Sequence, residues 1–253
     1  MIEGVLLDLS GVLYVGDAAL PGAIRALDRM LNAGLPVRFV TNVTRKPFDE
    51  ILQRLQAMGF DIAPEELLTA PRAAHRYVEL HRLCPYLLVH PALEAEFADL
   101  AKDSPNAVLL GDAEDRFDYA HLNRAFRILM EGGPLLAMGN NHYFQDRDGL
   151  SLDIGPFVAA LEYASGREAV ILGKPSADFY RVAVDSLGCE MQHAVMVGDD
   201  VLADVDGALG AGLQGILVRT GKYRSGDEDK IGHTGAQVVA DIVAAADLIL
   251  SST

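Results

Sequence analysis

Short, uninterrupted apolar runs, each halted by a polar residue and followed by an amphipathic stretch, recur along this chain. Val5-Leu6-Leu7 stops at Asp8, and the run from Val37 to Val40 stops at Thr41-Asn42. A run without polar alternation predicts a strand buried on both faces, as in a sheet with helices on each side. Between the two runs, Ile24, Leu27 and Leu31 share one helical face, and Gly34 stands where a helix would end. Phe48, Ile51, Leu52 and Leu55 repeat that spacing, and Gly59 closes it. Strand, helix, strand, helix is the grammar of an α/β fold with a Rossmann-like, doubly wound parallel sheet.

The last third of the chain repeats the grammar. Ala169 to Leu172, Ala194 to Val197 and Gly215 to Val218 read as strands, with helices over Phe179 to Leu187 and Val201 to Ala211. Ile242 to Leu250 reads as a closing helix. The middle differs: short strands at Tyr86 to His90, Ala107 to Leu110 and Pro134 to Met138 are separated by segments rich in tyrosine and phenylalanine. Phe157 to Tyr163 reads as a helix leading back to the core. The expected organisation is a discontinuous core, residues 1–71 and 161–253, with an inserted α/β domain over 72–160.

Charge narrows the classes of partner. The 253 residues include 36 acidic and 21 basic side chains, a net charge of −15. That balance argues against nucleic acid or an anionic membrane, both of which call for a basic surface. Two cysteines, Cys84 and Cys189, make no paired spacing and exclude a disulfide framework or a zinc motif. The amino terminus has no basic region ahead of its apolar run, and no apolar stretch has the ~18 residues of a membrane span. The expected location is the cytoplasm.

In open parallel sheets, ligands bind beyond the carboxyl ends of the strands. The residues standing there are Asp8-Leu9-Ser10-Gly11, Thr41-Asn42, Gly173-Lys174-Pro175, and Gly198-Asp199-Asp200 with Asp204 beyond. Taken singly each is ordinary turn or cap chemistry. Together, three carboxylates (Asp8, Asp199, Asp204) and Lys174 suit a hard divalent cation, magnesium, plus an anion. A bound cation inverts the local field, which otherwise repels phosphate. Thr41 and Asn42 add neutral donors. Gly210-Ala211-Gly212-Leu213-Gln214-Gly215 matches a dinucleotide fingerprint, but it closes a helix and enters a strand, the reverse of the context that motif needs. The seven histidines show no ligand spacing, leaving packing or a substrate contact in the insert as their roles.

The four segments, in this order and with Lys174 standing 133 positions after Thr41, resemble the haloacid dehalogenase superfamily. The spacing fits its subfamily IIA, in which a cap domain is inserted between the second and third motifs. Longer stretches, among them Gly4 to Tyr14, Pro85 to Leu88, Leu161 to Ala164, Gly173 to Ser176, Ala194 to Asp200 and Val218 to Lys222, are similar to the family of phospholysine and phosphohistidine inorganic pyrophosphate phosphatases. The chain departs from that family at Val43-Thr44-Arg45-Lys46.

The resemblance implies catalytic roles for Asp8, Ser10 and Lys174, with Asp8 as the nucleophile that becomes an aspartyl-phosphate. It implies substrate contacts from Asp8, Leu9, Ser10, Thr41, Asn42 and Lys174. Magnesium would be held by Asp8, Asp199 and the Ser10 carbonyl, with Asp200 and Asp204 supporting from behind. A homodimer formed through the cap is also implied. Ser10 stands where most members carry a second aspartate that protonates the leaving alcohol, help worth roughly 10²–10⁴-fold. Its absence favours bonds whose leaving group departs readily: P–N bonds in phospholysine, phosphohistidine or imidodiphosphate, and P–O–P in pyrophosphate. The expected partner is therefore a phosphorylated small molecule, pyrophosphate or a phosphohistidine or phospholysine protein. Two alternatives stay open, a phosphatase for small phosphate monoesters and a catalytically weak phosphate- or phosphoprotein-binding module.

Overall fold

In the computed structural model, residues 1–101, 103–146 and 149–252 are described. The chain forms two compact units, the first from Met1–Thr41, Ile51–Leu68 and 174–252, the second from Asn42–Glu50 and Thr69–Gly173.

Strand β1 (Gly4–Asp8) is buried along its whole length, as its unbroken apolar run predicts. A small hairpin, β2 (Tyr14–Val15) and β3 (Ala18–Ala19), leads into α1 (Ala23–Asn32). The buried face of α1 is Ala23, Ala26, Leu27 and Met30, while Leu31 is exposed. The expected face was rotated from this one because small alanines, which let a helix approach its sheet closely, carry little weight in an apolar-periodicity count. β4 (Val37–Thr41) and α2 (Phe48–Ala57) follow, then β5 (Leu67–Thr69), a three-residue strand too short to show a period.

The longer segment of the second unit opens with α3 (Ala70–Leu80), whose N-terminus is capped by the Thr69 hydroxyl accepting from the Arg72 N–H. It continues through β6 (Pro85–Leu88), β7 (Ala107–Leu110), α4 (Tyr119–Met130), β8 (Leu135–Ala137), a hairpin of β9 (Tyr143–Asp146) and β10 (Gly149–Leu152), α5 (Gly155–Ser165) and β11 (Ala169–Ile171). Its four-stranded parallel sheet runs β11-β8-β7-β6. Both faces are covered: Val108 and Leu110 join Ala125, Leu129, Val158 and Leu161 on one side, and Leu109 joins Val78, Leu93 and Phe97 on the other.

This unit corrects the expected boundary. Ala169 pairs with Leu135 and Ile171 with Ala137, so β11 completes the second sheet rather than the first. Val158 and Leu161 of α5 are buried against that sheet as well, which carries residues 161–173 with the insert. The segment 42–50 also belongs here: Arg45 Nε donates to Asp112 Oδ2 at 2.5 Å, Arg45 reaches Glu114 at 3.0 Å, and the Arg72 guanidinium lies 3.1 Å over the Phe48 ring. Arg45, one of the residues that depart from the family pattern, is thus held by the acidic groups Asp112 and Glu114.

The chain returns to the first unit at Lys174 with α6 (Ala177–Asp185) and β12 (Ala194–Gly198). A π-helical turn over Val201–Asp206 runs into α7 (Gly207–Gly210), where the sequence predicts a plain helix. β13 (Gln214–Val218), β14 (Gln237–Val239) and α8 (Ile242–Leu250) complete the unit. Its six strands lie in the order β14-β13-β12-β1-β4-β5, a doubly wound arrangement with β1 at the centre. Leu7 is level with Val197 and Asp8 with Val40, so Asp8 emerges beside the ends of β12 and β4. Among the described residues no helix is long and apolar enough to cross a membrane.

Candidate active site

The ends of β1 and β12 deliver Asp8 and Asp199 side by side, both buried. Asp204 arrives from the π-helical turn, and its side chain occupies the space a Cβ at Gly198 would fill. Lys174, the first residue of the returning chain, is 3% exposed, and its Nζ donates to Asp8 Oδ1 at 2.5 Å and Asp204 Oδ1 at 2.6 Å. The other Asp204 oxygen accepts the Asp200 N–H at 3.1 Å. Asp200 turns its own Oδ1 to the N–H groups of Leu202 and Ala203, capping the turn that carries Asp204. From behind, the buried Tyr180 hydroxyl lies 2.6 Å from the Ala203 carbonyl oxygen.

A third loop closes over the first. Asp199 Oδ2 accepts the Lys222 N–H at 2.6 Å, and Lys222 Nζ lies 3.2 Å from Asp200 Oδ2. The Thr220 hydroxyl donates to the Gly11 carbonyl. Gly11 and Gly221 abut there at positive φ, and a Cβ on either would collide with the Asp199 carboxylate. Glycine is required at both positions by this approach.

The electrostatics follow from crowding. Oxygens of Asp8, Asp199 and Asp204 lie within 4.8 Å of one another. Burial, reinforced by the charges of Asp8 and Asp204, pushes the Asp199 carboxyl up to about 8. Burial also raises Asp204, against the pull of Lys174. Lys174 stays protonated because Asp204 and Asp8 outweigh the cost of its burial. At Asp200 the cost of burial is likewise overcome, by the Lys222 ammonium above all, and its carboxyl sits low. With all four carboxyls (Asp8, Asp199, Asp200, Asp204) ionised, the two ammoniums (Lys174, Lys222) would leave two negative charges, which a divalent cation would offset while favouring the ionised form of Asp199. The donors are hard oxygens, as magnesium or calcium requires.

The structure thus brings together Asp8, Lys174, Asp199, Asp200 and Asp204. Leu9 is wholly buried, so only its backbone can face a ligand, and Ser10 is exposed beside it. Thr41 is buried, one residue past Val40, the neighbour of Asp8. Asn42 starts the second unit, where its amide lies against Gly139 and Gly173. Lys222 is the residue that sequence reasoning passed over; it stood in a stretch that resembled the family but at no spacing that marks chemistry. The histidine reading also missed a cluster in the second unit. His75 Nε2 lies 2.9 Å from Asp99 Oδ1 and Nδ1 lies 3.3 Å from Glu79 Oε2, so both ring nitrogens already face carboxylates.

Comparison with known proteins agrees with this geometry. Residues 5–101 match the family model described as haloacid dehalogenase-like hydrolase, and residues 171–245 match one described as HAD-hydrolase-like. Haloacid dehalogenase-like hydrolase domain-containing protein 2 of Bos taurus is 46% identical over 91% of this chain and 89% of its own length. The phospholysine phosphohistidine inorganic pyrophosphate phosphatase of Homo sapiens is 40% identical over 98% of this chain and 94% of its own. A 4-nitrophenylphosphatase from Thermotoga maritima superposes with a TM-score of 0.88 at 26% identity, covering 98% of this chain and 97% of that one. A glycerol phosphate phosphatase from Mycobacterium tuberculosis, solved in complex with magnesium, does so at 0.81 and 25% identity, over 96% and 76% of the two chains.

Proposed function

The chain belongs to the haloacid dehalogenase-like hydrolases, and from that premise we propose that it is a magnesium-dependent phosphatase working through an aspartyl-phosphate on Asp8. Its proposed substrates are P–N bonds, in phospholysine, phosphohistidine or imidodiphosphate, and inorganic pyrophosphate. The observation that carries the reading is the buried Lys174 ammonium bridging Asp8 and Asp204 beside Asp199. It holds one Asp8 oxygen and so orients the other for attack. Asp204, with one oxygen on Lys174 and the other on the Asp200 N–H, acts as the support that aims the lysine.

In the first step an Asp8 oxygen bonds to phosphorus, and the bond to the leaving nitrogen or oxygen breaks with its electron pair going to that atom. In the second, water attacks phosphorus, releasing phosphate and restoring the carboxylate, while its proton passes to solvent. Magnesium, held by Asp8, Asp199 and the Ser10 carbonyl, would neutralise the charge that builds on the phosphoryl oxygens. Lys174 stays cationic throughout, a fixed charge rather than a proton donor.

Ser10 sets the substrate preference. An alkyl oxygen leaves poorly unless protonated, and a serine hydroxyl is a weak acid at neutral pH. A phosphoramidate nitrogen takes its proton from solvent, and phosphate is a stable leaving group. The relative named for phospholysine, phosphohistidine and pyrophosphate supports this reading. The 4-nitrophenylphosphatase and glycerol phosphate phosphatase neighbours favour a second one, a phosphatase of small monoesters.

A substrate panel decides between them. Turnover of imidodiphosphate and pyrophosphate in magnesium should exceed that of simple sugar phosphates by at least about tenfold, and chelation with EDTA should abolish it. A preference for sugar phosphates would establish the monoester reading instead. Ser10→Asp should raise the sugar-phosphate rate by roughly 10²-fold, the value of general acid help. An unchanged rate would show that Ser10 does not set the preference.

A further inference from the structure

We propose that Lys222 determines specificity by binding the departing phosphate of condensed-phosphate substrates. The proposal rests on the phosphatase reading of the same site and adds a ranking within its substrates. Three observations carry it.

The first is position. The Lys222 backbone N–H is fixed to Asp199 Oδ2 at 2.6 Å, and its neighbours Gly221 and Thr220 are seated against Gly11, three residues after Asp8. The loop bearing Lys222 therefore has little freedom to move away from the one bearing Asp8. The second is exposure. Lys174 is 3% exposed and paired with Asp8 and Asp204, whereas the Lys222 side chain is 51% exposed. Lys222 is thus the less enclosed of the two lysines. The third is engagement. Among the described residues its ammonium makes one ion pair, to Asp200 Oδ2 at 3.2 Å, and an ammonium carries three N–H bonds.

A second ammonium does little for a neutral leaving group such as an alcohol, and it repels the lysine amine. It stabilises a leaving group that is itself an anion. When pyrophosphate transfers one phosphoryl group to Asp8, the bridging P–O bond breaks and the departing orthophosphate takes its electron pair. Lys222 meets the charge that accumulates there. Pyrophosphate and imidodiphosphate should benefit, and phosphate monoesters should not.

The test uses Lys222→Met and Lys222→Arg in the full chain, with saturating magnesium. The methionine variant keeps the backbone N–H to Asp199 and removes only the ammonium. Its kcat/KM for pyrophosphate should fall roughly 10–30-fold further than its kcat/KM for glycerol phosphate, whose leaving group is an alcohol, the value of a charge-assisted hydrogen bond. The arginine variant should recover most of the loss. Equal losses on both substrates would overturn the proposal and leave Lys222 as electrostatic support for Asp199 and Asp200. Inhibition constants keep the two readings apart. If the wild type turns over only monoesters, the substrate reading fails, and pyrophosphate inhibition of 4-nitrophenyl phosphate hydrolysis still decides Lys222. A weakened pyrophosphate inhibition with little change for orthophosphate upholds its role, and parallel weakening refutes it.

Discussion

Asp8→Asn should abolish steady turnover, with a loss of at least about 10⁴-fold on every substrate the wild type accepts. The carboxamide is isosteric but cannot attack phosphorus to form an acyl phosphate. The protein should remain folded, because the amide oxygen can still accept from Lys174, which also keeps Asp204 at 2.6 Å. Removing one charge from a set of buried carboxylates within 4.8 Å of one another relieves repulsion, so the melting temperature should hold or rise. Steady-state kinetics with calorimetry on the same sample checks both halves. Residual turnover within about tenfold of wild type would place the nucleophile elsewhere.

Lys174→Met should cost both activity and stability. The lysine is buried between Asp8 and Asp204, and its loss leaves two buried carboxylates without their counter-charge. Breaking a buried pair by removing one partner costs about 3–5 kcal/mol. Turnover should fall by roughly 10³-fold as Asp8 loses its orientation. The pH dependence has a definite sign. Burial already raises the Asp204 carboxyl, and losing the lysine that opposes this raises it further above the unfolded value of about 4. The deficit is therefore largest above the folded value of Asp204 and shrinks as pH falls through it and that group protonates. Denaturant midpoints at neutral and mildly acidic pH would show the gap to wild type narrowing. A gap that is absent or independent of pH would mean that the bridge carries no such energy.

Much of the site was legible because a parallel sheet turns strand ends into addresses. Asp8 and Asp199 each follow an uninterrupted apolar run, and the register that sets Leu7 against Val197 makes them neighbours. Lys174 and Asp204 needed the family pattern as well. What was not legible depends on contacts that have no local pattern. Lys222 reaches the site because Gly221 fits against Gly11, a meeting across 210 positions of chain. The boundary at 173 rather than 160 turns on Ala169–Ile171 pairing with Leu135–Ala137, and the same apolar text would have suited either sheet. The six-residue π-helical turn carrying Asp204 is too short for its wider period to show against 3.6.

The sheet order has a consequence for how the chain is made. β1 leaves the ribosome before the other five strands of its sheet, yet it is central, between β4 and β12. One flank can be paired as soon as Val37–Thr41 is synthesised, but the other waits for Ala194–Gly198, 186 residues after Asp8. Through that interval the nascent protein presents an apolar strand edge, the kind of surface that chaperones shield and that seeds aggregation. Such distant pairings also place the fold among the slower ones. Catalytic competence is therefore a late event in biosynthesis, since no truncated product ending before Asp204 holds Asp8, Lys174, Asp199 and Asp204 together.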